Sequence, residues 1–326
     1  MSRFSLLRYS DDDVAEIVGK FGATVDSVRR DVDVVVGWLK TQSHLPEIFD
    51  EGVIKRFLLL NKCRIEIVKK KIDMYYTVRS MIPEFYCHNP NGPTMQKVMD
   101  TIYFVPLPKL TKDFCRIVIV KAKDLNVENF DAVAFIAHTL NVAEFRLRQD
   151  FYHKEIQMYD LGGLKLGHLT KFTPSLIKKI SFVVEVVTIP VALKFFSSMF
   201  FFPFQKVFSN IIAAIHLVNV PNFIDTFFVV LKKTLNPKLA ERLFVHKDCE
   251  SLLKTVSKDV LPIDYGGCEK NLDELSEEWR KTFVEFDGLF KHLRELRVNE
   301  KLRSEPLPFE NDLFGVEGTF KQLNID

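Results

Sequence analysis

A chain of 326 residues is long enough for two packed units, and its formal net charge of +2 offers no basic footprint of the kind nucleic acid requires. Five widely spaced cysteines, with no CxxC and no Cys/His metal spacing, exclude a disulfide framework and fit a reducing compartment. The start, MSRFSLLRYSDDD, has no apolar stretch of signal-peptide type and turns acidic early, so a cytoplasmic location is expected.

In chain order, Asp11, Asp12 and Asp13 suit the positive end of a helix dipole. Val32, Val35, Val36 and Leu39 then recur at helical spacing, and 53–60 and 65–78 predict two further helices. This small helical module carries no catalytic constellation. Lys62, Arg64, Lys69, Lys70 and Lys71 make a basic run, read either as a solvated helix face or as a patch for anionic lipid headgroups. From Pro83 to Pro108 the chain is rich in Pro, Asn and Gly, which marks a boundary.

Beyond it, RIVIVK at 116–121 predicts a strand, and 129–149 an amphipathic helix whose apolar face includes Val133, Ile136, Leu140 and Leu147. A strand at 156–160 ends in Asp-Leu-Gly-Gly. Thr173 is placed to cap the next helix, with Pro174 in its first position and Ile177, Ile180, Val184 and Val187 on one face. A buried strand at 215–218 stops at Pro221. Strand, helix, strand in this order predicts parallel pairing and an α/β layer.

Two passages depart from this pattern. The run 186–214 is crowded with Phe. Three readings of it stand: a membrane span, opposed by Lys194, Pro190 and Pro203; an insertion that packs on the domain or dips into a bilayer surface; or untranslated sequence carried into the reading frame. The segment 221–235 predicts a helix whose apolar residues exceed one narrow stripe, so it is buried or meets two apolar surfaces. Helices are expected at 238–243, 250–256 and 272–297.

Chemistry-bearing motifs are missing. There is no GxSxG and no HExxH, and GGLKLG has neither dinucleotide-loop nor P-loop spacing, so no enzyme activity and no cofactor are expected. The eight histidines are scattered; His138, on the amphipathic helix, is the one expected to see a pocket. The 30 Phe admit a Phe-rich core or a cavity walled by apolar rings.

The passages DLGGLKLGHLTKFTPSLIKK and IHLVNVPNFIDTFFVVLKKTL together resemble the lipid-binding domain of the CRAL-TRIO family. RFLLLNKCRIEIVKKKIDMYYTVRSMIPEF resembles that family's N-terminal helical module, and ERLFVHKDCESLLKTVSKDVLPIDYGG the end of its lipid domain. The resemblance implies a helical module over 1–90, an α/β lipid-binding domain with a mostly parallel sheet over 91–267, and a charged helix and tail over 268–326. It also marks 186–214 as longer than the family's usual connection. It implies that 221–235 is a mobile gate over an apolar pocket. On that basis the expected lining is Ile136, Leu140, Phe172, Phe223, Phe227, Val230 and Leu231.

Family members with a phosphoinositide-gripping basic cluster imply the same role for Arg56, Lys238 and Arg242, although two further basic positions fall on Ile211 and Ala213. The implied function is a monomeric cytoplasmic carrier, peripheral at membranes, for one tocopherol-, retinoid-, carotenoid- or other isoprenoid-like molecule. Two alternatives stand beside it: a phosphatidylinositol or phospholipid sensor that regulates a partner, and a scaffold that binds no lipid.

Overall fold

The computed structural model describes residues 6–46, 50–183, 208–221 and 240–304. Five strands form one sheet in the order β1-β2-β3-β4-β5: Ile102–Leu110, Cys115–Ala122, Lys154–Asp160, Ile212–Val218 and Leu243–His246. β1 and β2 are antiparallel, and every later pair is parallel. The expected strands at 116–121, 156–160 and 215–218 are β2, β3 and β4.

β1 lies in the passage read as a boundary. Pro106 and Pro108 interrupt its sequence pattern, yet β1 pairs only with β2, and an edge strand tolerates missing N–H donors. The register shifts between Pro106 and Leu110, as prolines on an edge permit. β5 overturns part of another expectation: Leu243, assigned above to the end of a helix at 238–243, begins a strand.

Helices α1 to α6 (Asp11–Lys20, Val25–Leu39, Glu51–Leu60, Ile65–Met81, Pro83–Tyr86 and Pro93–Thr101) precede the sheet. α1 and α2 each begin with a capping box, Ser10 with Asp13 and Thr24 with Ser27. The buried faces of α2 to α4 merge with those of the later elements into one apolar core. Polar bonds join the two halves as well. Tyr75 donates to Glu144 at 2.6 Å, Arg79 pairs with the same carboxylate, and the Arg8 N–H donates to the carbonyl of Pro108 at 2.8 Å.

α7 (Ala132–Gln149) crosses from β2 to β3, with Asp131 capping its start. α8 (Leu166–Thr170) and α9 (Pro174–Val183) follow β3. The expected cap is present: Thr173 Oγ1 accepts the Leu176 N–H at 3.2 Å. Ile180 is buried and Ile177 partly so, whereas Val184 and Val187 lie outside the described residues.

The Asp-Leu-Gly-Gly turn has a clear physical basis. Gly163 takes φ +76°, and a Cβ there would sit 2.6 Å from Leu125 Cδ2. Asp160 accepts the Gly162 N–H at 3.0 Å, the Asn219 amide at 2.9 Å and the Tyr265 hydroxyl at 2.9 Å, and pairs with Lys121 at 3.3 Å. It therefore clamps the ends of β2, β3 and β4 to the later chain.

The C-terminal part is more integrated than a charged helix and tail. The expected helix at 272–297 is two helices, α11 (Leu272–Glu285) and α12 (Asp287–Glu295), after the short α10 (Cys249–Leu253). α11 packs on β1 and α7 through Trp279 and Phe283, both essentially without exposure. His138 faces this helix: its ring meets Phe283 at 5.8 Å and Phe104 at 6.3 Å, so it serves the core and lines none of the described cavities.

On the neighbouring strands β4 and β5, His216 and His246 stack at 5.0 Å with Nδ1 to Nε2 at 2.8 Å, both rings buried. Burial, then the neighbouring ring, pushes the His216 pKa down to about 4. Folded His216 is therefore neutral at pH 6, while the unfolded chain binds a proton below about 6.5. Its stabilising share is full above pH 6.5, falls as pH drops to about 4, and totals roughly 3 kcal/mol over that window. Urea midpoints from pH 7 to pH 4 should fall, and His216→Gln should flatten that fall; an unchanged slope would refute the assignment.

Candidate functional site: an apolar cavity and a buried guanidinium cluster

Alternation along β3 divides the sheet into two faces. Glu155, Gln157 and Tyr159 lie on the side of α7, since Glu155 accepts from Arg146 of α7 at 2.7 Å. Asp160 lies on the other, held by Tyr265. At the carboxyl ends of β2 and β3 a small cavity of about 70 Å³ opens, lined by consecutive residues of both strands. Three rings wall it, Phe130, Phe135 and Phe172, and Phe130 lies 6.0 Å from Phe135 and 5.9 Å from Phe172. Ile102, Val120, Tyr159, Leu161 and Leu164 add to the apolar wall, while Lys121, Asp124, Asp160 and His168 supply polar groups. The carboxyl end of a parallel sheet is where α/β folds bind ligands.

A second cleft, of about 390 Å³, lies beside the first, between the end of α6 and the start of α7. Phe130 lines both. Its other walls include Lys97, Thr101, Glu128, Asp131 and Lys171, a mixed and largely polar set.

At the opposite end of β3, three guanidinium groups and two carboxylates are buried together. Arg116 binds Asp150 at 2.7 Å, and Arg146 binds Asp150 at 3.0 Å and Glu155 at 2.7 Å. Burial opposes the charge of Asp150, but Arg116 and Arg146 beside it hold its carboxyl below the usual range. Arg56, 2 % exposed, joins this cluster without an acid of its own: Nη1 donates to the Tyr152 carbonyl at 2.7 Å, and the guanidinium lies 4.0 Å over the Tyr152 ring. Arg56 Nη2 and Arg146 Nη2 are buried with no hydrogen-bond partner, and both residues line a crevice that Tyr152 and Asn210 share.

The expected site residues are dispersed across this framework. Phe172 lines the apolar cavity. Ile136 and Leu140 are buried on α7 and line none of the described cavities. Arg242 is exposed and donates to the Ile212 carbonyl at 2.9 Å. Phe223, Phe227, Val230, Leu231 and Lys238 lie outside the described residues, as do almost all of the expected gate and most of 186–214.

Sequence reading missed Phe130, Phe135 and His168 in the cavity wall. Phe130 and Phe135 flank the start of α7, and a ring just before a helix cap has no periodic signal. No group of three or more metal-ligating side chains occurs among the described residues. No helix among them is long and apolar enough to cross a membrane.

The sheet, mostly parallel, and the small helical module before it make a mixed α/β architecture. Residues 192–267 match the family model described as CRAL/TRIO domain, and residues 24–95 match the one described as Pinta-like, UBA domain. The chain is similar to the mouse (Mus musculus) alpha-tocopherol transfer protein-like protein, 22% identical over 277 residues, covering 82% of this chain and 73% of that protein. The proteins of the same description from Homo sapiens and Pongo abelii are each 23% identical over 241 residues, covering 72% of this chain and 63% of their own length. Among solved structures, that of Sfh5 aligns with 86% of this chain and 100% of its own at 14% identity and a TM-score of 0.41.

Proposed function

We propose that this chain is a carrier without enzyme activity that encloses one hydrophobic molecule, of isoprenoid class, and moves it between membranes. The observation that carries the reading is the three-ring apolar cavity at the carboxyl ends of β2 and β3, within a chain that matches the CRAL/TRIO domain. Removing apolar ligand surface from water supplies about 25 cal/mol per Å², enough to draw a long chain from a bilayer when most of it is covered. The segment 221–235 acts as the gate, and Phe223, Phe227, Val230 and Leu231 extend the wall begun by Phe172. The carrier works as a monomer in the cytoplasm and meets membranes only during exchange.

A second reading is favoured by the buried cluster. Arg56 and Arg146 hold unpartnered Nη2 groups, and the three arginines exceed the two carboxylates around them by one charge. Such an excess favours an anion, and a phosphoinositide headgroup gripped by Arg56, Lys238 and Arg242 would trigger release, or make phosphatidylinositol the cargo of a sensor.

Mass spectrometry of the organic extract from protein purified out of a lipid-rich host tests both. One isoprenoid near one per chain is expected. A phospholipid instead would move the assignment to the sensor, and nothing bound would leave a scaffold. Loaded protein should release its cargo faster to vesicles containing phosphatidylinositol bisphosphate than to phosphatidylcholine alone; equal rates would remove the trigger.

A further inference from the structure

His168 belongs to none of the roles described so far. It is 4 % exposed, on α8, and lines the apolar cavity. Its Nδ1 faces the start of its own helix, 3.1 Å from the Lys165 N–H and 3.3 Å from the Lys165 carbonyl. The shorter contact makes Nδ1 an acceptor and leaves the ring proton on Nε2. That Nε2, on the far side of the ring, is buried with no hydrogen-bond partner. An orphaned buried donor is costly, and here its surroundings are rings: Phe130 lies 5.8 Å from the imidazole, with Phe172 beyond it.

The charges around the cavity restrict what can meet this donor. Lys121 is paired with Asp160 at 3.3 Å, so its charge is already answered. Asp124 adds a further carboxylate to the lining, held by the Asn126 N–H and the Asn129 amide. The wall is therefore neutral to acidic, which disfavours a ligand carboxylate or phosphate. Its volume of about 70 Å³ suits the head of a molecule and not its whole length.

We propose that His168 is the polar anchor of the lipid site, donating from Nε2 to the oxygen of an uncharged head, an alcohol or a carbonyl, on an otherwise apolar ligand. The proposal rests on the carrier reading and narrows its ligand class to neutral oxygenated lipids.

The test uses the full chain and displacement of the neutral fluorescent probe N-phenyl-1-naphthylamine by three ligands of one chain length. These are geranylgeraniol, geranylgeranoic acid, and the corresponding hydrocarbon. Wild-type protein should bind the alcohol about five- to tenfold more tightly than the hydrocarbon, as one hydrogen bond to a buried donor warrants, and should bind the acid less well than the alcohol. His168→Leu should abolish the preference for the alcohol, while His168→Gln, which keeps an N–H near the Nε2 position, should retain most of it.

Equal binding of alcohol and hydrocarbon by the wild type overturns the anchor and leaves the carrier standing, a comparison that needs no variant to fold. A preference that survives in His168→Leu overturns it too. Failure of all three ligands to displace the probe removes the carrier reading, and the anchor with it.

Discussion

Asp150→Ala is expected to lower the unfolding free energy by on the order of 3–5 kcal/mol, because it leaves the buried Arg116 without a carboxylate and Arg146 with Glu155 alone. Asp150 has no exposed side-chain surface; Oδ1 accepts from Arg116 Nη2 at 2.7 Å and Oδ2 from Arg146 Nε at 3.0 Å. Arg116 in turn donates to the carbonyls of Leu107 and Pro108, at 3.0 and 2.5 Å, where the prolines of β1 leave the strand ladder incomplete. One carboxylate thus holds the end of α7, the start of β2 and the irregular half of β1. Urea denaturation of the full chain measures the cost. Asp150→Asn, which keeps the shape but loses the charge, should fall between wild type and alanine. The double variant Arg116→Met with Asp150→Leu should recover part of the loss, since an apolar pair leaves no charge unanswered. A loss under about 1 kcal/mol for Asp150→Ala would show that water reaches the cluster and screens it.

Trp279→Ala is expected to cost roughly 3–5 kcal/mol, the range for emptying a fully buried aromatic site. The indole is 1 % exposed, meets Phe145 of α7 edge-on at 5.5 Å and Phe283 at 5.9 Å, and donates to the Pro106 carbonyl at 3.4 Å. It fastens α11 to the free edge of the sheet, where an uncovered strand would invite pairing with another chain. Calorimetry should show a lowered Tm with a single transition, since α11 shares the core of the domain. Two separate transitions, or a Tm within about 1 °C of wild type, would make the C-terminal helices an independent appendage.

What the sequence disclosed followed physical signal strength. The capped, periodic helices and the three Val/Ile-rich strands were legible because each carries a local pattern. β1 was not, because Pro106 and Pro108 read as breakers and only pairing at an edge makes them tolerable. β5 is four residues long, too short for alternation to stand out. The guanidinium cluster is assembled from Arg56, Arg116, Arg146, Asp150 and Glu155, which share no local pattern apart from the i,i+4 pair Arg146 and Asp150. Arg116 opens a strand in a position where an exposed end is the ordinary expectation, yet the fold buries it completely. The cavity follows the same logic: Phe172 was named from the resemblance, whereas Phe130, Phe135 and His168 converge only once β2, α7 and α8 are in place.

The sheet runs β1 to β5 in chain order, with β3 beside β4 in parallel register from Glu155 opposite Ile212 to Asp160 opposite Val218. These partners are joined by residues 161–211, which include most of the Phe-rich run. The entropy lost in closing such a connection grows only with the logarithm of its length, about 0.6 kcal/mol for each doubling. The two strands therefore meet at nearly the same thermodynamic penalty whether that connection is shorter or carries the additional apolar residues. A chain built this way can lengthen between these two strands without altering a single backbone bond of the sheet.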